Sequence, residues 1–206
     1  WYCHNYCVYI GVSLDELLKS FKELASKYEN NYFIGYTHTR RAQIIKFSDY
    51  ILSYWWMFYR DNERLFAFFK KLKIYIGSGA LAGSYIKKKD YDKAIKEFIE
   101  KFSKDKDAGN LKDLILLSQN SLDNVSDRDF IIELLSILSI MQMHISRIAE
   151  DLILYSTKEF NFIDLPEEFC TGSSLMPHKK NPDLLELLRG NTGKIYGNLI
   201  SLLTMM

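Results

Sequence analysis

The chain has 206 residues, 48% of them apolar, with 27 basic and 26 acidic side chains for a formal charge of +1. That length and apolar content support a substantial core and exclude disorder. The charge balance excludes a global field for nucleic acid or an anionic membrane, so anion recognition must come from a local cluster.

In chain order, Cys3 and Cys7 flank His4, and Cys170 completes an odd, sparse set of three cysteines. Such a set argues for a reducing compartment and against a disulfide framework, and it lacks the second ligand pair of a zinc site. "WYCHNYCVYI" has no basic start and no small-residue cleavage site, so no signal peptide is read. No stretch meets the roughly 18 uncharged apolar residues of a membrane span. The expectation is a cytoplasmic protein. An opening Trp1 and an apolar ending, "LISLLTMM", with no stop signal, point to a segment of a longer protein.

Ser13-Leu-Asp-Glu16 has the form of a capping box and predicts a helix from there to about Tyr28. "NNYFIGYTHTRRAQ" breaks the helical pattern. From Phe47 to Leu72, apolar residues return at helical spacing. The glycines of "IGSGALAGS" predict a turn-rich connection. "YDKAIKEFIEKF" predicts a short amphipathic helix, and Lys104 to Asn110 an exposed charged loop. Asp127 to Thr157 contains no Gly or Pro and is apolar on most faces, as in a helix buried among others. In the final segment Asn181 is placed to cap a helix with Pro182 at its first position. Gly190, Gly193 and Gly197 form a stripe that suggests close approach of another helix. No β-alternation stands out. The fold class is all-α, a bundle of long helices.

The most polar break is "CTGSSLMPHKKNPD", Cys170–Asp183. Free amides at the start of the next helix, with Lys179 and Lys180 beside them, favour an anion. Ser173 and Ser174 add hydroxyls. By composition alone this stretch also reads as a solvated turn.

The order of residues resembles the signature loop of the fumarase/aspartase superfamily, Gly-Ser-Ser-x-Met-Pro-x-Lys-x-Asn-Pro, at every specified position. Leu175 and Lys180, with Asp183 following, resemble the argininosuccinate lyase branch. "GYTHTRRAQ", "RDNERL", "GSGALAG", "NSLDNVSDRDF" and "AEDLILYSTKEF" resemble segments of that branch in the same order. The similarity extends from about Gly35 to Met206, and the first thirty residues carry little of it.

This resemblance implies the central helical-bundle domain of that superfamily over residues 1–206, in part, with the signature loop at 170–181. It implies a homotetramer with active sites shared between subunits, no metal or organic cofactor, a small-molecule substrate, and neither nucleic acid nor membrane as partner. The implied reaction is the reversible elimination of argininosuccinate to arginine and fumarate. Ser173 would be the general base. His38 would lie near the reacting groups, oriented by Glu186 of another subunit, and Thr37, Gln43, Lys179 and Asn181 would hold substrate. His144 is read as structural, Arg128 and Asp129 as helix ties, and "YWWMFY" as core or interface.

Thr39 and Arg40 stand where the branch has Leu-Gln, Ile44 where it has Pro, and His178 where it has Gln or Asn. The branch's Ser-Arg-Asn-Asp-Gln and Tyr-Asn-Lys-Asp segments are absent. Two alternatives therefore stay open: another lyase of the superfamily, such as one cleaving adenylosuccinate, and a truncated or inactive structural relative resembling the delta-crystallins.

Overall fold

Three long helices carry apolar seams at alternating steps of three and four, the spacing that keeps one helical face against a neighbour. Helix α1 (Tyr2–Lys27) buries Leu14, Leu18, Phe21 and Ala25; α2 (Phe47–Lys71) buries Ile51, Tyr54, Phe58, Leu65 and Phe68; α5 (Asp129–Tyr155) buries Leu134, Ile137, Met141 and His144. This computed structural model describes residues 2–102 and 114–206, so the charged loop expected at Lys104–Asn110 lies outside the described residues. Between and after these helices come β1 (Tyr32–Thr37), β2 (Arg40–Lys46), β3 (Ile74–Ile76), α3 (Lys88–Phe102), β4 (Ile115–Leu117) and α4 (Ser121–Ser126). The chain ends with β5 (Thr171–Gly172), β6 (Lys180–Asn181) and α6 (Asp183–Met205). The predominantly helical character and the long-helix bundle match the expected class.

The described chain falls into two units, residues 68–131 and the remainder. In the larger unit the seams of α1, α2 and α5 meet, with Phe21 stacked on Phe58 at 5.7 Å. Two of the seams carry a polar residue, and those residues meet each other: His144 Nδ1 lies 2.6 Å from Asp61 Oδ2, and Asp61 is wholly buried. Arg64 Nη1 donates to the other carboxylate oxygen at 2.8 Å. A buried carboxylate is tolerable only when its lone pairs are met, which this pairing does. The structural reading of His144 holds.

In the smaller unit β3 and β4 pair in parallel, Ile74 with Ile115 through Ile76 with Leu117, and α3 lies in the crossover between them. The glycine-rich connection is turn-rich as expected. Gly77, Gly79 and Gly83 all have positive φ, and a Cβ on Gly79 would sit 2.2 Å from the carbonyl oxygen of Gly83. Only glycine fits there.

Several expectations are corrected. Helix α1 begins at Tyr2, not at Ser13, and the would-be capping box lies inside it. Cys7 continues the buried face one heptad before Leu14, so packing carries the helix through the local start signal. Asn181 does not cap α6; Pro182 takes the cap position with φ −80° and ψ 47°, and no side chain caps the helix. Among the described residues the glycine stripe of α6 meets no other helix closely, since a Cβ at Gly190, Gly193 or Gly197 would have no neighbour within 4 Å. Three two-stranded pairs occur where no strand was expected. At the start of α5, Arg128 bonds its neighbour's carbonyl, and Asp127 Oδ1 accepts the amide of Asp129 at 3.2 Å; neither bond tests the reading of Arg128 and Asp129 as helix ties. By length and composition α5 could cross a membrane when a few charges are allowed in the span, although its uncharged run, between Glu133 and Arg147, is shorter than the roughly 18 residues sought in the sequence. Its polar residues are nonetheless partnered inside the chain: Gln142 Nε2 donates to Leu188 O at 2.7 Å and to Thr192 Oγ1 at 3.2 Å.

Candidate functional site

The stretch "YFIGYTHTRRAQIIK" forms an antiparallel hairpin in which Thr37 pairs with Arg40, leaving His38 and Thr39 as a two-residue tip. Both tip residues have positive φ, 54° and 58°, as a type I′ turn requires. Such turns favour Asn-Gly, and a β-branched residue in this region is strained. Thr39 Oγ1 donates to the carbonyl of His38 at 2.6 Å. Thr37, His38 and Gln43 are all exposed on this hairpin. Gly35 marks a register shift between Ile34 and Tyr36, and a Cβ there would crowd Gln43 O at 3.2 Å.

Aromatic rings root the hairpin. Phe33 meets Phe47, Tyr50, Tyr155 and Phe162 edge-on at 5.3–6.0 Å, and Tyr36 meets Phe160 at 5.2 Å. Beneath them Tyr50 and Tyr54 both donate to Asp151 Oδ2, at 3.0 and 2.6 Å. Burial, above all, pushes both phenols well above their ordinary range, and the Asp151 carboxylate adds to it, so both stay protonated donors.

The polar break is a loop closed at its base. Thr171 pairs with Asn181 and Gly172 with Lys180, leaving residues 173–179 between the two short strands. Ser173 is half-buried, and its Oγ accepts the amides of Leu175 at 3.3 Å and Met176 at 3.1 Å. Two donors on one hydroxyl oxygen favour negative charge there. Lys180 Nζ pairs with Asp164 at 2.8 Å, and that hydrogen bond lifts the ammonium above its ordinary range. Lys179 is exposed and makes no ion pair among the described residues. Asn181 is half-buried at the loop's end, and Glu186 lies exposed in the first turn of α6.

The predicted residues thus fall into two groups. Ser173, Lys179, Asn181 and Glu186 share the loop and the helix turn after it; Thr37, His38 and Gln43 share the hairpin. No hydrogen bond or ion pair among the described residues joins His38 to Glu186, a contact the resemblance itself assigns to different subunits. The departures Thr39, Arg40, Ile44 and His178 are all exposed. Sequence reasoning passed over Asp151, Asp61 and Asp164. The first two carried a signal, a single acid within an otherwise apolar helical face; Asp164 carried none.

For metals, no group of three or more His, Cys, Asp or Glu is arranged to hold an ion among the described residues. Cys3, Cys7 and Cys170 are free thiols, and burial pushes Cys7 up to about 11, which disfavours the thiolate a metal needs.

The chain that carries this loop has a recognisable fold. The structure superposes on an EDDS lyase determined in complex with formate, with a TM-score of 0.82, 23% identity, and coverage of 98% of this chain and 38% of that one. It superposes on the class II fumarase from Schistosoma mansoni with a TM-score of 0.75, 18% identity, and coverage of 93% and 42%. These likenesses establish the fumarase/aspartase-type fold. In sequence the chain is 46% identical over 198 residues to an argininosuccinate lyase from Thermoanaerobacter sp. (strain X514). The alignment covers 96% of this chain and 42% of that relative's length. The likeness therefore includes the first thirty residues, where the motifs had suggested little. A family model described as Lyase matches residues 2–197, and the chain belongs to that lyase family.

Proposed function

We propose that the complete gene product is an argininosuccinate lyase, acting as a homotetramer in the cytoplasm without metal or organic cofactor. One observation carries the reading: Ser173 Oγ sits under the amides of Leu175 and Met176, in a loop whose Lys179 is free of ion pairs among the described residues.

A serine hydroxyl is a poor base because its alkoxide is costly. Amide donors on the oxygen and a nearby ammonium lower that cost. Ser173 would take the proton from the carbon beside a substrate carboxylate. The electron pair left on that carbon spreads into the carboxylate, where Lys179 and loop amides offset the charge. Collapse of this pair forms the double bond of fumarate and breaks the C–N bond; the leaving guanidino nitrogen takes a proton and departs as arginine. His38 on its hairpin tip would handle a proton or hold a carboxylate, with Glu186 of another subunit orienting it. Thr37, Gln43 and Asn181 would contact substrate.

Association is supported by α6. It has no buried residue in this chain and exposes Leu184, Leu187, Ile200 and Leu203 beside the open glycine stripe. An apolar face of this kind fits helices from other subunits. Three free thiols support a reducing compartment.

The test follows fumarate absorbance with argininosuccinate as substrate, alongside light scattering for mass. The reading expects turnover by a tetramer, with adenylosuccinate and aspartate much poorer substrates. A folded tetramer that leaves argininosuccinate intact would refute it.

A further inference from the structure

The segment leading from α5 to the loop is tied at three places. Tyr155 O accepts the amides of both Phe162 at 3.0 Å and Ile163 at 3.3 Å, and Asn161, at a positive φ of 50°, donates its amide to Thr157 O at 2.8 Å. These bonds hold residues 160–164 against the end of α5. Phe160 and Phe162 then face the hairpin: Phe162 lies 5.6 Å from Phe33 and 6.3 Å from Tyr36. Two residues later Asp164 reaches the base of the loop, where Lys180 is also the ladder partner of Gly172.

We propose that Asp164 is a positioning residue for the loop 173–179. It acts through Lys180, and the strap 160–164 anchors that loop base to the hairpin bearing His38. Lys180 is thereby committed to the fold, and Lys179 is the loop cation left to meet an anionic substrate. The last clause rests on the elimination reading above; the pin itself does not.

The pin is exposed. The Asp164 side chain is 93% accessible and that of Lys180 33%. Salt screens such a pair, and its coupling is small. Such a pin holds the loop base yet costs little to release. It also means that the two lysines, adjacent in sequence and alike in charge, differ in what they are free to do.

Two readouts on the complete gene product decide the matter: hydrogen exchange at the loop amides of Met176 and Lys179, and steady-state elimination of argininosuccinate. Asp164→Ala and Lys180→Ala should each speed exchange by about two- to fivefold, with little further effect when combined. The charge swap Asp164→Lys with Lys180→Asp should restore the slow exchange. High salt should move the unaltered protein toward the Asp164→Ala value. In the same variants kcat should fall by a similar factor with KM less affected. Lys179→Ala should leave exchange unchanged and instead raise KM or abolish turnover.

Exchange that is unchanged in Asp164→Ala, or additive in the double variant, would overturn the pin, even in an active enzyme. Coupled exchange in a protein with no turnover would keep the pin and remove both the elimination reading and the substrate role of Lys179.

Discussion

His38 and Thr39 occupy a turn whose backbone favours asparagine and glycine, and Thr39 is the costlier of the two because its branched Cβ crowds a positive φ of 58°. Thr39→Gly should remove that strain and raise stability by about 1 kcal/mol. It should also loosen the tip and lose the 2.6 Å bond to the His38 carbonyl. If the tip aims His38, kcat/KM should fall by about three- to tenfold in the more stable protein. Denaturant melts and elimination kinetics on this variant check both halves. Greater stability with unchanged kinetics would mean that the aim of His38 does not depend on Thr39. At this scale the residues of the loop were legible in sequence, because their order is specific. What Lys180 does was not, since its partner lies sixteen residues earlier and is set by the course of the strap.

Helices α2 and α3 follow from periodicity, since their apolar residues recur on one face, and α5 from a long run without Gly or Pro that is apolar on most faces. The start of α1 does not, because Cys7 and Leu14 share a buried face that overrides the signal at Ser13. The hairpin was hidden for two reasons. Its tip lacks the Asn-Gly pair that announces such turns, and its register shift at Gly35 breaks alternation. What anchors the hairpin is the aromatic cluster over Asp151. Tyr50 and Tyr54 titrate above their ordinary value of 10.0 in the folded chain. Unfolded phenols ionise first as pH rises, so this part of the stability is intact below about pH 10 and is lost above it. Tyr54→Phe should cost about 1–2 kcal/mol near neutrality through the lost bond to Asp151. It should also make the alkaline fall shallower. Urea melts between pH 8 and 11 measure this, and an unchanged slope would contradict the assignment.

For the whole molecule, α6 is half-buried along Leu185, Thr192, Ile195, Leu199 and Leu202 and open on its other face. Gln142 bonds Leu188 O and Thr192, and Arg189 pairs with Glu150, while Leu184, Leu187, Ile200 and Leu203 stay exposed. The exposed apolar face is the part of α6 that supports the association proposed above. It also explains why the glycine stripe, read from sequence as a close helix contact, finds no neighbour here. The chain spans 42% of the length of the argininosuccinate lyase it was aligned with, and the proposed reaction is therefore tested on the complete gene product. The two site groups, loop and hairpin, were visible in sequence as motifs, whereas how they would assemble into a working centre belongs to the subunit packing proposed above. The account rests on Ser173 as the proton acceptor, and its most direct test is the rate of fumarate release from argininosuccinate by Ser173→Ala in the complete gene product. A fall of about a hundred- to ten-thousandfold, with mass and melting unchanged, is the predicted result. A rate within about twofold of the unaltered protein, on the same catalytic scale, would contradict it.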